Sequence, residues 1–509
     1  MKMWISAAFA AALLAGCSFA PDYQRPVQDI PDTWAVQPVR SSGPPETEFA
    51  ARGAGGKGGG AETALARDWW RRFGDDTLDR LVMRALARNR DIEQSLARVD
   101  SARAALTAAR GGLFPTLSMK GTGTRNRASI DTSDSFGAAE QIGLLEERVS
   151  RIDGLPADRL SSPSRTGTLW SGAVQAAWEL DIWGRWRNAS AAARESLLSA
   201  EDSLRALELS VAGQVCSAYF ELLNSDSQLE LTERTLAARQ EYAALYEKQF
   251  AAGAISELDI LNVRTQIDSL NDSLEQVRTR REKAESALLL LTGASPREIW
   301  AGQADRGSSL EALPAVPQIP AGLPSELLAR RPDIASAEAA LRAAHFRVGA
   351  ARAAFFPSIS LTGGLGTESR ELDGLFSSAS DTWTFGGAVD WPLLTFGRTL
   401  GQVRQSEAAV REAAAAYEQR VQQAFRDVRD ALALQRGMAG SVESLAQAAA
   451  RMERAAQLAR VRYDEGYSPY LDVLEAERTL YSTQMDLADR RAARLSAIVQ
   501  VCMALGGGW

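Results

Sequence analysis

The chain contains a long internal duplication, and the spacing between its copies changes once. Asp91-Ile92, Arg110 and Phe114-Pro115 recur as Asp333-Ile334, Arg352 and Phe356-Pro357, 242 positions later. Gly184-Arg185, Gly253 and Leu258-Asp259 recur as Gly397-Arg398, Gly466 and Leu471-Asp472, 213 positions later. The offset is constant up to Pro115 and again from Gly184, so the copies differ by an insertion of 29 residues between those points. A duplication this long is not a short-repeat solenoid, whose periods run about 20–50 residues. It predicts two similar structural units related by pseudo-symmetry, which suits a ring or a tube.

Inside each copy the hydrophobic period switches. Trp170, Gly172, Val174, Ala176, Trp178, Leu180 and Ile182 alternate with Ser171, Ala173, Gln175, Ala177, Glu179 and Asp181. Trp383, Phe385, Gly387, Val389 and Trp391 alternate likewise with Thr384, Gly386, Ala388 and Asp390, and Ile359 to Leu365 continue the pattern after Phe356-Pro357. Strands of about ten residues with one apolar face and aromatics at both ends are the signature of a membrane β-barrel. A half-buried strand in a soluble sheet also alternates, but here the strands come as isolated hairpins between long helices. The hairpin loops run roughly from Arg125 to Thr168 and from Thr367 to Asp381, so the insertion sits at a hairpin tip, where no packing crosses it.

After each Gly-Arg the period becomes helical. Trp186 to Ala251 holds no proline and one interior glycine, Gly213, and Val215, Leu222, Leu229, Leu236, Ala243 and Phe250 form a seven-residue row. The chain turns at Gly253-Ala254 and returns with Ile260, Val263, Ile267, Leu270, Leu274 and Val277, an a/d seam. The second seam, Val473, Ala476, Leu480, Thr483, Leu487 and Arg490, is weaker. Two seams flanking a tight turn predict an antiparallel coiled coil. The outgoing helix is about 65 residues, or about 98 Å at 1.5 Å each. The return helix from Ser256 to Leu291 cannot match it alone, so the opening helix, Thr77 to Arg110, is expected to stack on its end.

The N-terminus reads as an export signal. Lys2 precedes an apolar run from Trp4 to Ala15, too short to span a bilayer as a helix. The run ends in Leu14-Ala15-Gly16-Cys17, which resembles a bacterial lipobox and predicts cleavage before an acylated Cys17. Several acyl chains make a stable anchor. Prolines from Pro21 to Pro45 and the glycines of Gly53 to Gly60 then read as an extended arm and flexible linker. The expected organisation is a signal peptide (1–16), a lipidated arm and linker (17–65) and a first repeat (66–293). That repeat holds a β-hairpin (114–183) and a coiled-coil hairpin (185–292). An equatorial linker (294–324) leads to a second repeat (325–509), with hairpins at 356–396 and 398–505.

Composition excludes several function classes. With 57 basic and 64 acidic residues the net charge is −7, which argues against a nucleic-acid partner. A single histidine, His345, reads as a helix-packing residue, and three cysteines, one of them Cys17, make a zinc site or a Cys–His catalytic pair a poor fit. Cys216 and Cys502 are expected as two buried thiols. No phosphate loop and no histidine base appears, and Asp75-Asp76 reads as a solvated helix start; the chain is not expected to be an enzyme.

Four strands cannot close a barrel, since single-chain membrane barrels have at least eight, and open edges are forbidden in lipid. Two chains supply eight strands and three supply twelve. Eight-strand barrels are filled by their own side chains, whereas larger ones hold a channel; a long helical tube is useful only with a channel, so three is the natural number.

The chain resembles TolC-type outer-membrane factors of the OprM/NodT lipoprotein branch. The resemblance is carried by Trp69-Trp70, Phe73, Asp76, Leu78, Ala85-Leu86, Asn89 and Asp91, by Arg330 to Ile334, by Ala354 to Ser358 and by the closing Ala504 to Trp509. It covers essentially the whole mature chain. It implies a mainly α fold with a membrane β portion: a homotrimer with a twelve-strand barrel in the outer membrane and a helical tunnel through the periplasm. It implies an exit duct for an inner-membrane pump, usually proton-driven of the RND class, reached through a periplasmic adaptor. No cofactor is implied beyond palmitate-type lipid on Cys17. It also implies a gate at the tip turns Gly253 and Gly466: the acid Asp259 tied to Tyr463, with Asp472 and Glu475 lining the constriction. Ser468 stands where some relatives carry a locking arginine. A type I protein-secretion duct would use the same tube, and a structural or adhesion stalk would lack a pore.

Overall fold

The computed structural model describes residues 18–26, 29–31, 68–127, 166–313 and 324–507. The signal peptide, Cys17, Gly53 to Gly60, the hairpin loop 128–165, residues 314–323 of the inter-repeat linker and the closing Gly508-Trp509 lie outside them. After a 3-10 turn at Trp69–Phe73 come α1 (Asp76–Arg88), α2 (Arg90–Gly111), β1 (Thr116–Arg127), β2 (Thr166–Leu180), α3 (Arg185–Ala251), α4 (Glu257–Leu291) and α5 (Pro296–Ala301). The second copy supplies α6 (Pro324–Arg330), α7 (Pro332–Ala353), β3 (Ser358–Ser369), β4 (Asp381–Asp390), α8 (Arg398–Asp464) and α9 (Tyr470–Ala504).

The duplication is visible element by element. α3 and α8 have 67 residues each, α4 and α9 have 35, α2 and α7 have 22, and β1 and β3 have 12. Compactness nevertheless cuts across the copies. One unit comprises residues 1–22, 105–193 and 345–408 and holds the sheet; the other comprises 23–104, 194–344 and 409–509 and holds the helical core.

In the first unit the sheet is antiparallel, in the order β1-β2-β3-β4. Its register aligns the apolar positions of all four strands. Met119 faces Val174, Val174 faces Leu365 and Leu365 faces Trp383. Leu117, Ala176, Gly363 and Phe385 form the next row on that side. The opposite side carries Ser118, Gln175, Gly364 and Thr384. A soluble sheet would cover the apolar side, yet Met119, Leu365, Trp383 and Phe385 are all exposed. The chain below the strands repeats too: Trp178 Nε1 donates to the Leu113 carbonyl at 3.1 Å, and its counterpart Trp391 donates to Phe355 at 3.2 Å. Ser18 donates to Asn188 Oδ1 at 3.0 Å, and Phe19 stacks on Phe356 at 4.6 Å, so these two residues after Cys17 pack beside the strand ends.

In the second unit the expected single opening helix is two. Asn89 leaves the helical region at ψ 132 and its Oδ1 caps α2 through the Asp91 and Ile92 amides. The Asn89 amide also donates to the Leu291 carbonyl at 2.9 Å, where α4 ends. The second copy breaks at the same place: Arg331 donates to the Ala504 carbonyl at the end of α9, and Pro332 opens α7. Each return helix thus ends against a helix junction, satisfying one of its orphan carbonyls. Gly293 and Gly506 sit on the carbonyls of Arg88 and Arg330, at 2.3 and 3.1 Å from where a Cβ would stand.

The helical core buries Trp69, Phe73, Leu78, Tyr219, Phe220, Leu288, Ile334, Tyr417 and both free thiols, Cys216 and Cys502. Asp75 is buried as well, which corrects its reading as a solvated residue. It caps α1 through the Thr77 and Leu78 amides and accepts a 2.7 Å hydrogen bond from the Tyr219 hydroxyl, which accepts in turn from the Gly307 amide. Arg306, paired with Glu285 at 2.6 Å and Asp226 at 3.2 Å, holds the same linker segment. His345 is half-buried on α7, and burial lowers its pKa. Among the described residues no helix is long and apolar enough to cross a membrane.

Candidate functional site

The candidate site is the end of the second unit where both coiled-coil hairpins reverse. The two turns are copies. The Gly253 amide bonds the Phe250 carbonyl and the Ala254 amide bonds Gln249, both at 2.9 Å. Gly466 to Tyr463 and Tyr467 to Arg462 repeat the pattern at 2.8 Å. This Schellman closure needs a left-handed residue, and Gly253 and Gly466 supply it at φ +71 and +77.

The caps beyond the turns differ. Ser256 forms a capping box with Asp259, whose carboxylate accepts from the Ser256 amide at 3.1 Å and hydroxyl at 2.7 Å. The second copy has Pro469 there, which offers neither amide nor hydroxyl. Asp472 therefore stays exposed in the first turn of α9, and Glu475 pairs with exposed Arg478 at 2.9 Å. The expected Asp259–Tyr463 hydrogen bond is not among those of the described residues, where Asp259 Oδ2 serves the capping box. Tyr463 instead lies 6.2 Å from Tyr246 and 5.3 Å from Tyr470, ring centre to ring centre, and Tyr246 and Tyr470 approach to 4.3 Å.

These tyrosines join the two hairpins. Tyr246, Ile260 and Val263 from the first pack with Tyr470, Val473 and Leu474 from the second. Further along, Leu236, Leu270 and Leu274 form the next layer, so most of the seven-residue row is core. Phe250 departs from it and is exposed beside the turn.

Above the tyrosines lies an ion cluster that sequence reasoning missed. Glu477 on α9 takes Arg239 of α3 at 3.0 Å and Arg460 of α8 at 2.5 Å, and Arg460 stacks over Tyr242 at 4.3 Å. The Arg239 side chain is only 7% exposed. The one available signal was the duplication itself. Shifted by 213, Arg460 and Glu477 become Glu247 and Arg264, which pair at 3.1 Å with their charges exchanged.

Burial pushes the Tyr470 phenol up to about 12, against an opposing effect of Arg239, and burial raises Tyr246 further. An unfolded phenol titrates near 10. The folded state thus favours neutral phenols, a contribution fully present below pH 10 and lost as pH rises through 12. Thermal unfolding followed by helical circular dichroism should be flat in these residues at neutral pH and fall between about 10 and 12. Tyr470→Phe should flatten that alkaline decline.

Among the described residues no cluster of His, Cys, Asp or Glu is arranged to hold a metal ion. The arrangement is a packed, ion-paired closure between two hairpins, with the exposed carboxylate of Asp472 next to the second turn.

Comparison with known proteins agrees with this architecture. A family model described as outer membrane efflux protein matches residues 81–294 and 323–507. The chain is 34% identical over 503 residues to the solvent efflux pump outer membrane protein SrpC of Pseudomonas putida, covering 98% of this chain and 97% of SrpC. It is 32% identical to the cation efflux system protein CusC of Escherichia coli, with 98% and 97% covered. A solved membrane protein from Pseudomonas aeruginosa superposes with a TM-score of 0.80 at 31% identity, covering 96% of this chain and all of the other.

Proposed function

Since the chain belongs to the outer membrane efflux protein family, we propose that three copies close its four-strand sheets into a twelve-strand barrel, forming the exit duct of a tripartite efflux system. The duct stands in the outer membrane, extends into the periplasm, and is loaded by an inner-membrane pump, of the RND class, through a periplasmic adaptor. The observation that carries this reading is the sheet register. It gathers the large apolar strand residues, Leu169 alone excepted, on one uncovered side and leaves β1 and β4 as unpaired edges. Lipid covers such a face, and only closure removes such edges.

The tip is the resting gate, held by the tyrosine cluster and the Glu477 ion pairs. In a trimer Asp472 and Glu475 occur three times around its mouth, where like charges repel and attract cations. The relatives' names specify solvent for one and cation for another. Such unlike cargoes on one scaffold support a duct that selects little and a pump that selects most.

Purified protein in planar bilayers should give single-channel conductance, with three copies by native mass in detergent. A trimer without conductance would favour a stalk. Co-purification with a protein-secretion adaptor rather than an efflux adaptor would favour the type I secretion duct.

The anchor is lipid on Cys17. The packing of the next two residues, Ser18 and Phe19, beside the strand ends supports an anchor on this side of the barrel. Cys17→Ser should yield an N-terminal peptide without acyl mass; a native peptide beginning at another residue would refute the anchor.

A further inference from the structure

The pairing that joins the two copies inside one chain also specifies how chains join, given the trimer proposed above. β1 and β2 pair from Thr116↔Ala177, and β3 and β4 from Ser358↔Asp390. These positions differ by 242 and 213, the sequence offsets. The duplication therefore holds residue for residue through all four strands. Between the hairpins, β2 pairs with β3 through Trp178↔Leu361, Ala177↔Thr362 and Gln175↔Gly364. The image of β2 is β4 and the image of β3 is β1, yet those two strands are the sheet's free edges.

We infer that β4 of one protomer pairs antiparallel with β1 of the next in the image register. Trp391 lies opposite Met119, Asp390 opposite Lys120, Ala388 opposite Thr122, and Trp383 opposite Arg127.

Three observations independent of the mapping agree with it. The faces match: Trp391 and Met119 belong to the apolar side, Asp390 and Lys120 to the polar side. The polar side then gains an opposite-charge pair directly across the seam, which stabilises a sheet where like charges would not. A slip of two residues either way sets Asp390 against Ser118 or Thr122 and loses it. Finally, Trp183 just after β2 stacks on Phe356 just before β3 at 4.8 Å, closing the seam within the chain. Their images are Phe396 and Phe114, which are 91% and 64% exposed, and Phe396 is the one described non-glycine residue at positive φ, +47. The seam between protomers gives each of these rings the aromatic partner that the single chain denies it.

Paired cysteines read the register directly. Directly opposed residues lie about 4.5–5.5 Å apart and diagonal ones about 7–8 Å, beyond comfortable disulfide reach. With Ala388→Cys fixed, Thr122→Cys should give covalent dimers and trimers on a non-reducing gel. Lys120→Cys and Thr124→Cys should give at least tenfold less, and each single cysteine none. Native mass is measured on the same samples. A trimer that cross-links best through position 120 or 124 overturns the register and leaves the trimer standing. Absence of any three-copy species overturns the trimer reading itself. Should Ala388→Cys not fold, charge exchange decides the question. Lys120→Asp should lower the recovery of detergent-resistant trimer severalfold, and adding Asp390→Lys should restore it. Failure of the second change to restore it, with the wild-type trimer intact, overturns the pairing.

Discussion

Val174→Arg should abolish the membrane-inserted trimer, whereas Gln175→Arg, one residue further along the same strand, should leave it assembled. Val174 lies between Met119 and Leu365 on the apolar side, near the middle of the strand rows; Gln175 lies between Ser118 and Gly364 on the other. An arginine facing lipid at mid-depth costs about 2–4 kcal/mol per site, while a lumen-facing one costs little. Three copies raise the first penalty to about 6–12 kcal/mol, comparable with the about 5–15 kcal/mol by which whole folds are stable. Outer-membrane fractionation and native mass in detergent check the pair. Equal behaviour of the two variants would mean that the faces of the sheet are not lipid and lumen. The same comparison separates a barrel from a soluble sheet, because a soluble sheet tolerates an exposed arginine on either side.

Glu477→Ala should loosen the tip more than any other single truncation of an ion pair there. It leaves Arg239 buried without its carboxylate and frees Arg460. Removing one partner of a buried pair costs about 3–5 kcal/mol, largely because the remaining charge stays desolvated. Arg264→Ala breaks the corresponding pair in the first hairpin, where both side chains are more than half exposed. Such surface pairs contribute about 0–1 kcal/mol. The expected result is raised conductance in bilayers and sensitivity to large antibiotics such as vancomycin for Glu477→Ala, with neither for Arg264→Ala. Glu477→Gln, which keeps hydrogen-bonding capacity, should fall between them. Unchanged conductance with an intact trimer would leave the cluster as a brace with no part in gating.

Much of this architecture was legible in the sequence because periodicity and duplication are local records. The shift from period two to helical period at Gly184-Arg185 marks the start of α3, and Ser256 is both the expected start of α4 and its observed cap. What escaped depends on partners distant in sequence. Asn89 reads as one more polar residue inside a helix, and it breaks that helix because its amide meets Leu291, 202 positions on. Asp75 reads as a surface acid until Tyr219 and the linker close over it. Asp259 has two potential roles, and Ser256, three positions earlier, engages it as a cap. Arg239 gives no signal at all: 213 positions later stands Met452, so the duplication does not mark it.

The exchanged charges of Glu247–Arg264 and Arg460–Glu477 have a consequence for how such a molecule diversifies. Six identical hairpins, each made as a separate chain, would be forced to show the same charge at all six equivalent places. Every substitution would be felt six times at once, including any that crowded like charges against a neighbour. In the proposed trimer, covalent fusion of two units lowers that obligation to three. Odd and even hairpins can then evolve as donor and acceptor, one side keeping a solvated pair while the other draws its pair inward around an arginine that the ancestor need not have possessed. Lowered symmetry is here a source of inherited variation, and the differences between the two halves record where it has been used.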